Sequence, residues 1–323
     1  MLLIIILNLM LWWWLKMQNL REKFIGFWEY IKKSENITLC THVEPDGDTL
    51  GSAIALKHLI LLNFENKNVQ ISGGDYPRNL LFLQDQKIKL VSKKFFDNSL
   101  KVVVDTSTKR RIFDQRVKTE EAIKIDHHPF EGKWLFEIGG DFWPATGQVM
   151  TKMVMELDLK VNEKVLEGLA VAIITDTEFF KERNVNEETF ECMRFLLEKG
   201  LNYNLLLKKM QLNAKENKFI FDAVSNLKQK GIVSYIIVDQ VVSNDIARPL
   251  VAKFAEVSNT EVSLVYLKRS QGDYRCEIRS KTTYDVSKVA NEFLGGGHLN
   301  SSGFIQKNLK QLNKVLSFIN KNK

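Results

Sequence analysis

Residues 42 to 48 read His-Val-Glu-Pro-Asp-Gly-Asp, with Leu50-Gly51-Ser52 just beyond. Asp46 and Asp48 stand one residue apart, and His42 lies four residues before the first of them, so all three can face one loop cavity. Further along, Asp105 ends a β-branched run, Asp126-His127-His128 ends another apolar run, and Asp176 closes Val171-Ala172-Ile173-Ile174-Thr175. Carboxylate and imidazole donors without thiolate suit Mn²⁺, Mg²⁺, Co²⁺ or Zn²⁺, and a carboxylate-rich shell favours Mn²⁺. The usable ligands are His42, Asp46, Asp48, Asp105, His127 and Asp176. That is more than one open catalytic ion needs, and it fits two ions about 3.5–4 Å apart with a bridging carboxylate. Several carboxylates buried together without cations would force one another to protonate. Singly, each residue has an ordinary use. An Asp after a strand is most often a turn or helix cap, Asp48 could cap a helix opening at Thr49, and adjacent histidines are commonly a surface pair. Capping alone does not readily place four such sites on one sheet edge.

The elements that must position these residues alternate. Ile37–Thr41, Val69–Ser72, Leu100–Asp105 and Ala122–Asp126 read as strands, and Thr49–Leu62, Thr146–Leu157 and Glu163–Ile174 as helices. The pattern predicts an α/β fold with a parallel sheet covered on both faces. Ligands bind beyond the carboxyl ends of such strands, where the Asp and His residues fall. Residues 187–230 carry helical patterns (Glu188–Lys199 and Lys215–Gln229) and read as a helical connector. Strand signals then recur at Ile232–Asp239, Glu261–Leu267 and Arg275–Arg279, with helices near Ile246–Val257, Val286–Phe293 and Leu309–Ile319. The expected organisation is an apolar segment (1–16), a metal-binding catalytic domain (17–186), the connector (187–230) and a smaller α/β substrate-binding domain (231–323).

In that last domain, Gly295-Gly296-Gly297-His298 offers backbone N–H groups that an anion can approach without Cβ obstruction. A glycine run by itself is also simply a flexible turn. Arg279 in Arg279-Ser280-Lys281 supplies a fork matched to phosphate oxygens, or else an exposed strand-end charge. His58 has no acidic or histidine neighbour in sequence and reads as packing.

The chain has 323 residues, of which 46 are basic and 39 acidic, giving a formal charge of +7. That balance is compatible with a polyanionic substrate, but a Lys- and Asn-rich composition alone produces it. With 45% hydrophobic and 26% charged residues, a disordered chain is excluded. Cys40, Cys192 and Cys276 are too few and too scattered for a disulfide framework or a zinc site, and they point to a reducing compartment. Met1 to Leu15 is apolar except for Asn8. Fifteen residues rise only about 22 Å as a helix, short of a bilayer core. The segment reads either as a weak anchor, with Lys16, Arg21 and Lys23 keeping the rest cytoplasmic, or as untranslated sequence before Met17.

These residues resemble the DHH phosphoesterase family, whose name is its Asp-His-His triplet, here Asp126-His127-His128. Its first motif matches His42 to Asp48 with Gly51-Ser52, its isolated aspartates match Asp105 and Asp176, and the glycine-rich His motif of the associated C-terminal domain matches Gly295 to His298. The likeness runs from about Asn36 to Phe304 and looks most like the two-domain branch acting on nanoRNA and pAp. Departures are Glu44, Gly147-Gln148 and Ser301-Ser302, which bear on substrate preference more than on catalysis. The resemblance implies short RNA or pAp as substrate and two divalent ions, Mn²⁺ first and Mg²⁺ or Co²⁺ next. His42, Asp46 and Asp105 would hold one ion, and Asp48, Asp105, His127 and Asp176 the other. His128 would serve as proton donor, and Arg279, Ser280, Gly296, Gly297 and His298 would bind the nucleotide. No stable protein partner is implied, and a homodimer is compatible. The alternatives are a cyclic-dinucleotide phosphodiesterase acting on c-di-AMP or pApA, and a non-catalytic nucleotide-binding regulator.

Overall fold

The computed structural model describes residues 19–74 and 76–322, apart from the side chains of Asn244 and Asp245. The apolar N-terminal segment, with its reading as an anchor, lies outside the described residues. Two compact units divide at Met210 and Gln211.

In the first unit, helix α1 (residues 19–33) sets Phe24, Phe27 and Ile31 into the core at helical spacing. There follow β1 (Asn36–Cys40), α2 (Gly47–Asn63), β2 (Asn68–Ser72), α3 (Lys93–Asp97), β3 (Leu100–Val104), β4 (Ala122–Asp126), β5 (Phe136–Gly139), α4 (Thr146–Leu157), α5 (Glu163–Asp176), α6 (Glu187–Glu198) and α7 (Tyr203–Lys209). The strands form a parallel sheet in the order β2-β1-β3-β4-β5. Alternation sends Ile37, Leu39, Val102, Val104, Ile123 and Ile125 to the main core with residues of α2, α4 and α5. Cys40, Val103 and Ala122 face the other way, against Phe96 of α3 and the loop residues Val91, Ile112 and Trp134. Both faces are covered, as expected, but the second by one short helix and loops. The strand order reverses between β1 and β3, and ligands bind beyond the carboxyl ends at such a point. His42 follows β1 and Asp105 follows β3.

The second unit comprises α8 (Ala214–Val224), β6 (Lys228–Lys230), β7 (Val233–Val241), α9 (Asn244–Val257), β8 (Val262–Lys268), β9 (Tyr274–Ser280), α10 (Val286–Glu292), β10 (Gly296–Gly297), β11 (Ser301–Gln306) and α11 (Leu312–Lys321). Its sheet runs β10-β11-β9-β8-β7-β6, and only β7 and β8, joined through α9, are parallel. Ile220 of α8 and Leu250 and Phe254 of α9 pack with Ile236 and Val265 on one face. Val286 and Val289 of α10 and Val315 and Leu316 of α11 pack with Leu264, Cys276 and Ile278 on the other.

Several expectations need correction. The helix read to Gln229 ends at Val224, and Lys228-Gln229-Lys230 is an edge strand. Lysine-rich edges are ordinary, because charge there discourages unwanted strand pairing. The glycine stretch is partly strand, with Gly296 paired to Gly303 and Gly297 to Ser302. Residues 187–230 divide between the units, α6 and α7 with the first and α8 with the second. Cys40, Cys192 and Cys276 are free and buried. Among the described residues no helix is long and apolar enough to cross a membrane.

Gly51 of the first motif has a packing role. A Cβ there would lie 2.3 Å from the Gly168 carbonyl oxygen, and one at Gly168 would lie 2.6 Å from that of Gly51. Helices α2 and α5 therefore cross with their backbones in contact. Gly51→Ala is expected to destabilise the chain by about 1–3 kcal/mol, read as a lower urea midpoint. An unchanged midpoint would remove Gly51 from the crossing.

Candidate active site

Each residue of the cluster arrives at the end of an element. His42 follows β1, Asp105 follows β3, His127 follows β4, Asp176 ends α5, and Asp46 and Asp48 begin α2. Asp46 is the N-cap of α2, accepting from the Asp48 and Thr49 amides at 3.1 and 3.2 Å. The cap is thus Asp46 rather than Asp48, which frees Asp48 to point inward. Asp105 adopts φ 61°, a left-handed conformation that Asp tolerates better than most residues. Its amide donates to Ile125 of β4 at 3.0 Å, which pins the turn.

The side chains converge. Nε2 of His42 is 3.4 Å from Asp46 and 3.3 Å from Asp105. Nε2 of His127 is 3.1 Å from Asp176, 3.5 Å from Asp105 and 3.7 Å from Asp48. Donor atoms of His42, Asp46 and Asp105 lie within 4.8 Å of one another, as do those of Asp48, His127 and Asp176, and those of Asp105, His127 and His128. Exposure is 1% for His42, 7% for Asp46, 0% for Asp48, 2% for Asp105 and 6% for His127.

The two imidazoles are oriented alike. Nδ1 of His42 lies 2.7 Å from the Val43 carbonyl and Nδ1 of His127 lies 3.2 Å from the Trp143 carbonyl. A carbonyl only accepts, so each Nδ1 carries the proton and each Nε2 faces the carboxylates. Nε2 of His127 is buried with no aligned hydrogen-bond partner despite three carboxylates within 3.7 Å. Lone pairs and carboxylate oxygens converging this way ask for a cation, and the donor set fits a hard or borderline divalent ion. Electrostatics agree. Burial lowers the proton affinity of His42, but Asp46 and Asp105 outweigh it and push its pKa up to about 10. His127 is likewise carried well above its usual range, with Asp176, Asp105 and Asp48 overcoming burial. Burial and the charges of Asp105 and Asp176 raise Asp48 well above the ordinary carboxylate range.

Backbone donors, which side-chain reading missed, support the cluster. Thr146 and Gly147, opening α4, donate their amides to Asp48 at 2.7 and 3.0 Å. The Thr146 hydroxyl donates to Asp105 at 2.9 Å and the Ser52 hydroxyl to Asp48 at 3.0 Å. Helix N-termini favour such anions. The only signal in sequence was a Thr placed to open a helix.

His128 differs from its neighbour. Its Nδ1 lies 2.7 Å from buried Asp126, so the ring is oriented by a carboxylate. Burial would raise Asp126, but His128 and His127 bring it below the usual range. Behind it, Lys124 is 1% exposed, with Nζ 3.0 Å from Glu137 and 3.5 Å from Asp126. His58 has an acidic partner that its sequence context did not show, with Nε2 3.0 Å from Asp85 in an ion cluster with Lys57 and Lys164.

In the second unit, Arg279 donates Nη1 to buried Glu277 and to the Ile278 carbonyl, both at 3.1 Å. Arg275 also donates to Glu277. The Ser280 hydroxyl accepts from Asn300 at 2.7 Å. His298 is exposed, and its amide donates to the Ser301 carbonyl at 2.8 Å. Gly297 has φ 142°, and a Cβ at Gly296 would meet nothing within 4 Å.

This arrangement agrees with the family models. Residues 36–173 match the DHH family, N-terminal domain, and residues 228–322 match the DHHA1 domain. The chain belongs to the DHH family. It is a phosphoesterase of that family, carrying an acidic and imidazole cluster fit for metal. A probable bifunctional oligoribonuclease and PAP phosphatase NrnA of Streptococcus mutans is 28% identical over 84% of this chain and 90% of its own length. The bifunctional oligoribonuclease and PAP phosphatase NrnA of Bacillus subtilis is 29% identical over 83% of this chain and 88% of its own. The crystal structure of an exopolyphosphatase-related protein from Bacteroides fragilis shares the fold, with a TM-score of 0.79 and 19% identity over 93% of this chain and 97% of that one.

Protons and metal compete for the same atoms. With its pKa pushed up to about 10, His42 holds a proton at neutral pH that an ion bound there would have to displace. Apparent Mn²⁺ affinity should therefore rise with pH, about tenfold per unit for each proton displaced. Calorimetric titration at pH 6.5, 7.5 and 8.5 reads this, and a flat profile contradicts the charge assignment.

Proposed function

We propose that the chain hydrolyses short oligoribonucleotides to mononucleotides and pAp to AMP, using two divalent ions, Mn²⁺ foremost. The observation that carries this reading is the meeting of His42, Asp46 and Asp105 beside Asp48, His127 and Asp176, with Asp105 near both groups. The named activities of the Streptococcus and Bacillus relatives, over nearly their full lengths, supply the substrate class. His42, Asp46 and Asp105 would hold one ion, and Asp48, Asp105, His127 and Asp176 the second. Bound there, the ions supply Lewis acidity, lowering the pKa of water at the site and offsetting phosphoryl charge.

The chain's own residues do the remainder. The α4 amides and Ser52 fix Asp48, so the carboxylates keep their places as charge shifts during reaction. His128, its ring oriented through Nδ1 by Asp126, would pass a proton to the leaving alkoxide. In the second unit, Arg279, Ser280, Gly296, Gly297 and His298 bind the nucleotide, giving residues 17–186 and 231–323 catalytic and substrate-binding roles. The free buried thiols favour a reducing, cytoplasmic setting.

Asp105→Asn should lower Mn²⁺-dependent cleavage of a 5′-phosphorylated RNA dinucleotide about a hundredfold or more, with an unchanged circular dichroism spectrum. Retention of more than a few percent of activity overturns the two-ion reading. Arg279→Ala should raise KM about tenfold or more and change kcat little. An unchanged KM removes Arg279 from the site. Assaying pAp, RNA dinucleotides, cyclic di-AMP and pyrophosphate side by side separates this activity from its relatives.

A further inference from the structure

We infer that Phe130 and Phe142 form a ledge on which a nucleobase of the substrate stacks. The inference rests on the nucleotide reading above and adds the part of the nucleotide that a charge cluster does not recognise. Both phenylalanines are large and apolar, yet they are 53% and 54% exposed. Both lie on the segments that hold the DHH histidines. Phe130 comes two residues after His128, and Phe142 immediately precedes Trp143, whose carbonyl orients His127.

The two rings are neighbours because of a glycine. Gly140 has φ 121°, and a Cβ on it would lie 2.9 Å from the Phe142 ring and 3.0 Å from the Phe130 ring. A side chain at this position would clash with both rings, so glycine lets them share one patch above the backbone. The base of the patch is fixed. The Gly140 amide donates to the Asp126 carbonyl at 3.2 Å, and the Trp143 amide donates to Gly140 at 3.2 Å. Trp143, 3% exposed, packs against Phe142 with ring centroids 5.2 Å apart. On the other side, the buried Lys124 ammonium lies 5.6 Å from the Phe130 centroid. The ledge is thus held on rigid supports before any ligand arrives, so little ordering cost attends stacking.

The position favours a nucleobase over a protein side chain or a lipid. The ledge is tied through His128 and Trp143 to the segments that carry a buried cluster suited to cation and phosphate, and a nucleotide presents an aromatic face a few bonds from its phosphate. Carboxylates and imidazoles treat pyrophosphate and a nucleotide alike. An exposed aromatic pair does not, and because every base has a π-face the preference is for bases in general rather than for one sequence.

The test compares AMP with ribose 5-phosphate, which lacks only the base, by titration calorimetry on the full chain with Mn²⁺. Wild type should bind AMP about tenfold or more tightly than ribose 5-phosphate. The Phe130→Ala, Phe142→Ala double variant should lose that preference, whereas Phe130→Tyr, Phe142→Tyr should keep it. Thermal melting checks that both variants fold, as substitution of half-exposed residues allows. The ledge is overturned if wild type shows no preference for the base, or if the alanine variant retains it, as it would were the patch an interface for a second copy of the chain. RNA dinucleotide cleavage is scored separately. Cleavage without base preference defeats the ledge alone, and base preference without cleavage defeats the proposed activity alone.

Discussion

Three aspartates buried within reach of one another set the terms for the first unit. Asp46, Asp48 and Asp105 are each less than a tenth exposed, with Asp176 close behind through His127. Like charges this close in a low-dielectric cavity either protonate or acquire compensating positive charge. The chain supplies part of that compensation through the two histidines, the α4 amides, and the first-turn amides of α2 on Asp46. The amide donors, with Asp46 and Asp48, stand at the starts of helices, and His42, Asp105 and His127 stand at strand ends. Only a topology bringing helix starts and strand ends to one edge can assemble them, and the β2-β1-β3-β4-β5 order does so at its point of reversal.

The same constraint explains part of the backbone strain, although Asn66, Asp158 and Leu294 are left-handed elsewhere in the chain. Asp105 sits at φ 61°, and Glu178, Phe179 and Phe180, following Asp176, sit at 45°, 57° and 65°. Each such non-glycine conformation costs on the order of 1 kcal/mol or more and persists only where surroundings over-determine it. Asp105 is held by Ile125 and Thr146, and the turn after Asp176 by the Phe179 amide on Ile174 and the Lys181 amide on Thr177, each at 2.8 Å. Cluster residues thus occupy or adjoin the strained turns, whereas the strands behind them are regular.

Most of the cluster was legible because its residues differ in type from their surroundings. An Asp or His ending a run of Val and Ile stands out, and the strands that carry Asp105 and Asp126 showed within a residue of their observed ends. What stayed hidden was backbone. The Thr146 and Gly147 amides and the Val43 and Trp143 carbonyls have no residue-type signature, because any residue but proline has an N–H and every residue has a carbonyl. Short elements were hidden too. Four residues of β5 and five of α3 are too few for a period to show, and β10 and β11 were masked by their glycines and serines. His58 had no acidic neighbour in sequence because its partner, Asp85, comes 27 residues later.

In the second unit the charge problem takes the opposite form. Two guanidiniums, Arg275 and Arg279, flank one buried carboxylate, Glu277, leaving one net positive charge on that face of β9. Burial would raise the Glu277 pKa, but the guanidiniums, Arg275 first, keep it below the usual range, so the trio stays ionised at neutral pH. A flexible surface arginine loses rotamer entropy when it meets an anion. Arg279, already fastened to Glu277 and to the Ile278 carbonyl, has lost much of that freedom on folding. The carboxylate weakens the local field and in exchange fixes the direction of the fork, which in the proposed nucleotide-binding role would favour a ligand whose oxygens match the guanidinium geometry over one that merely carries charge.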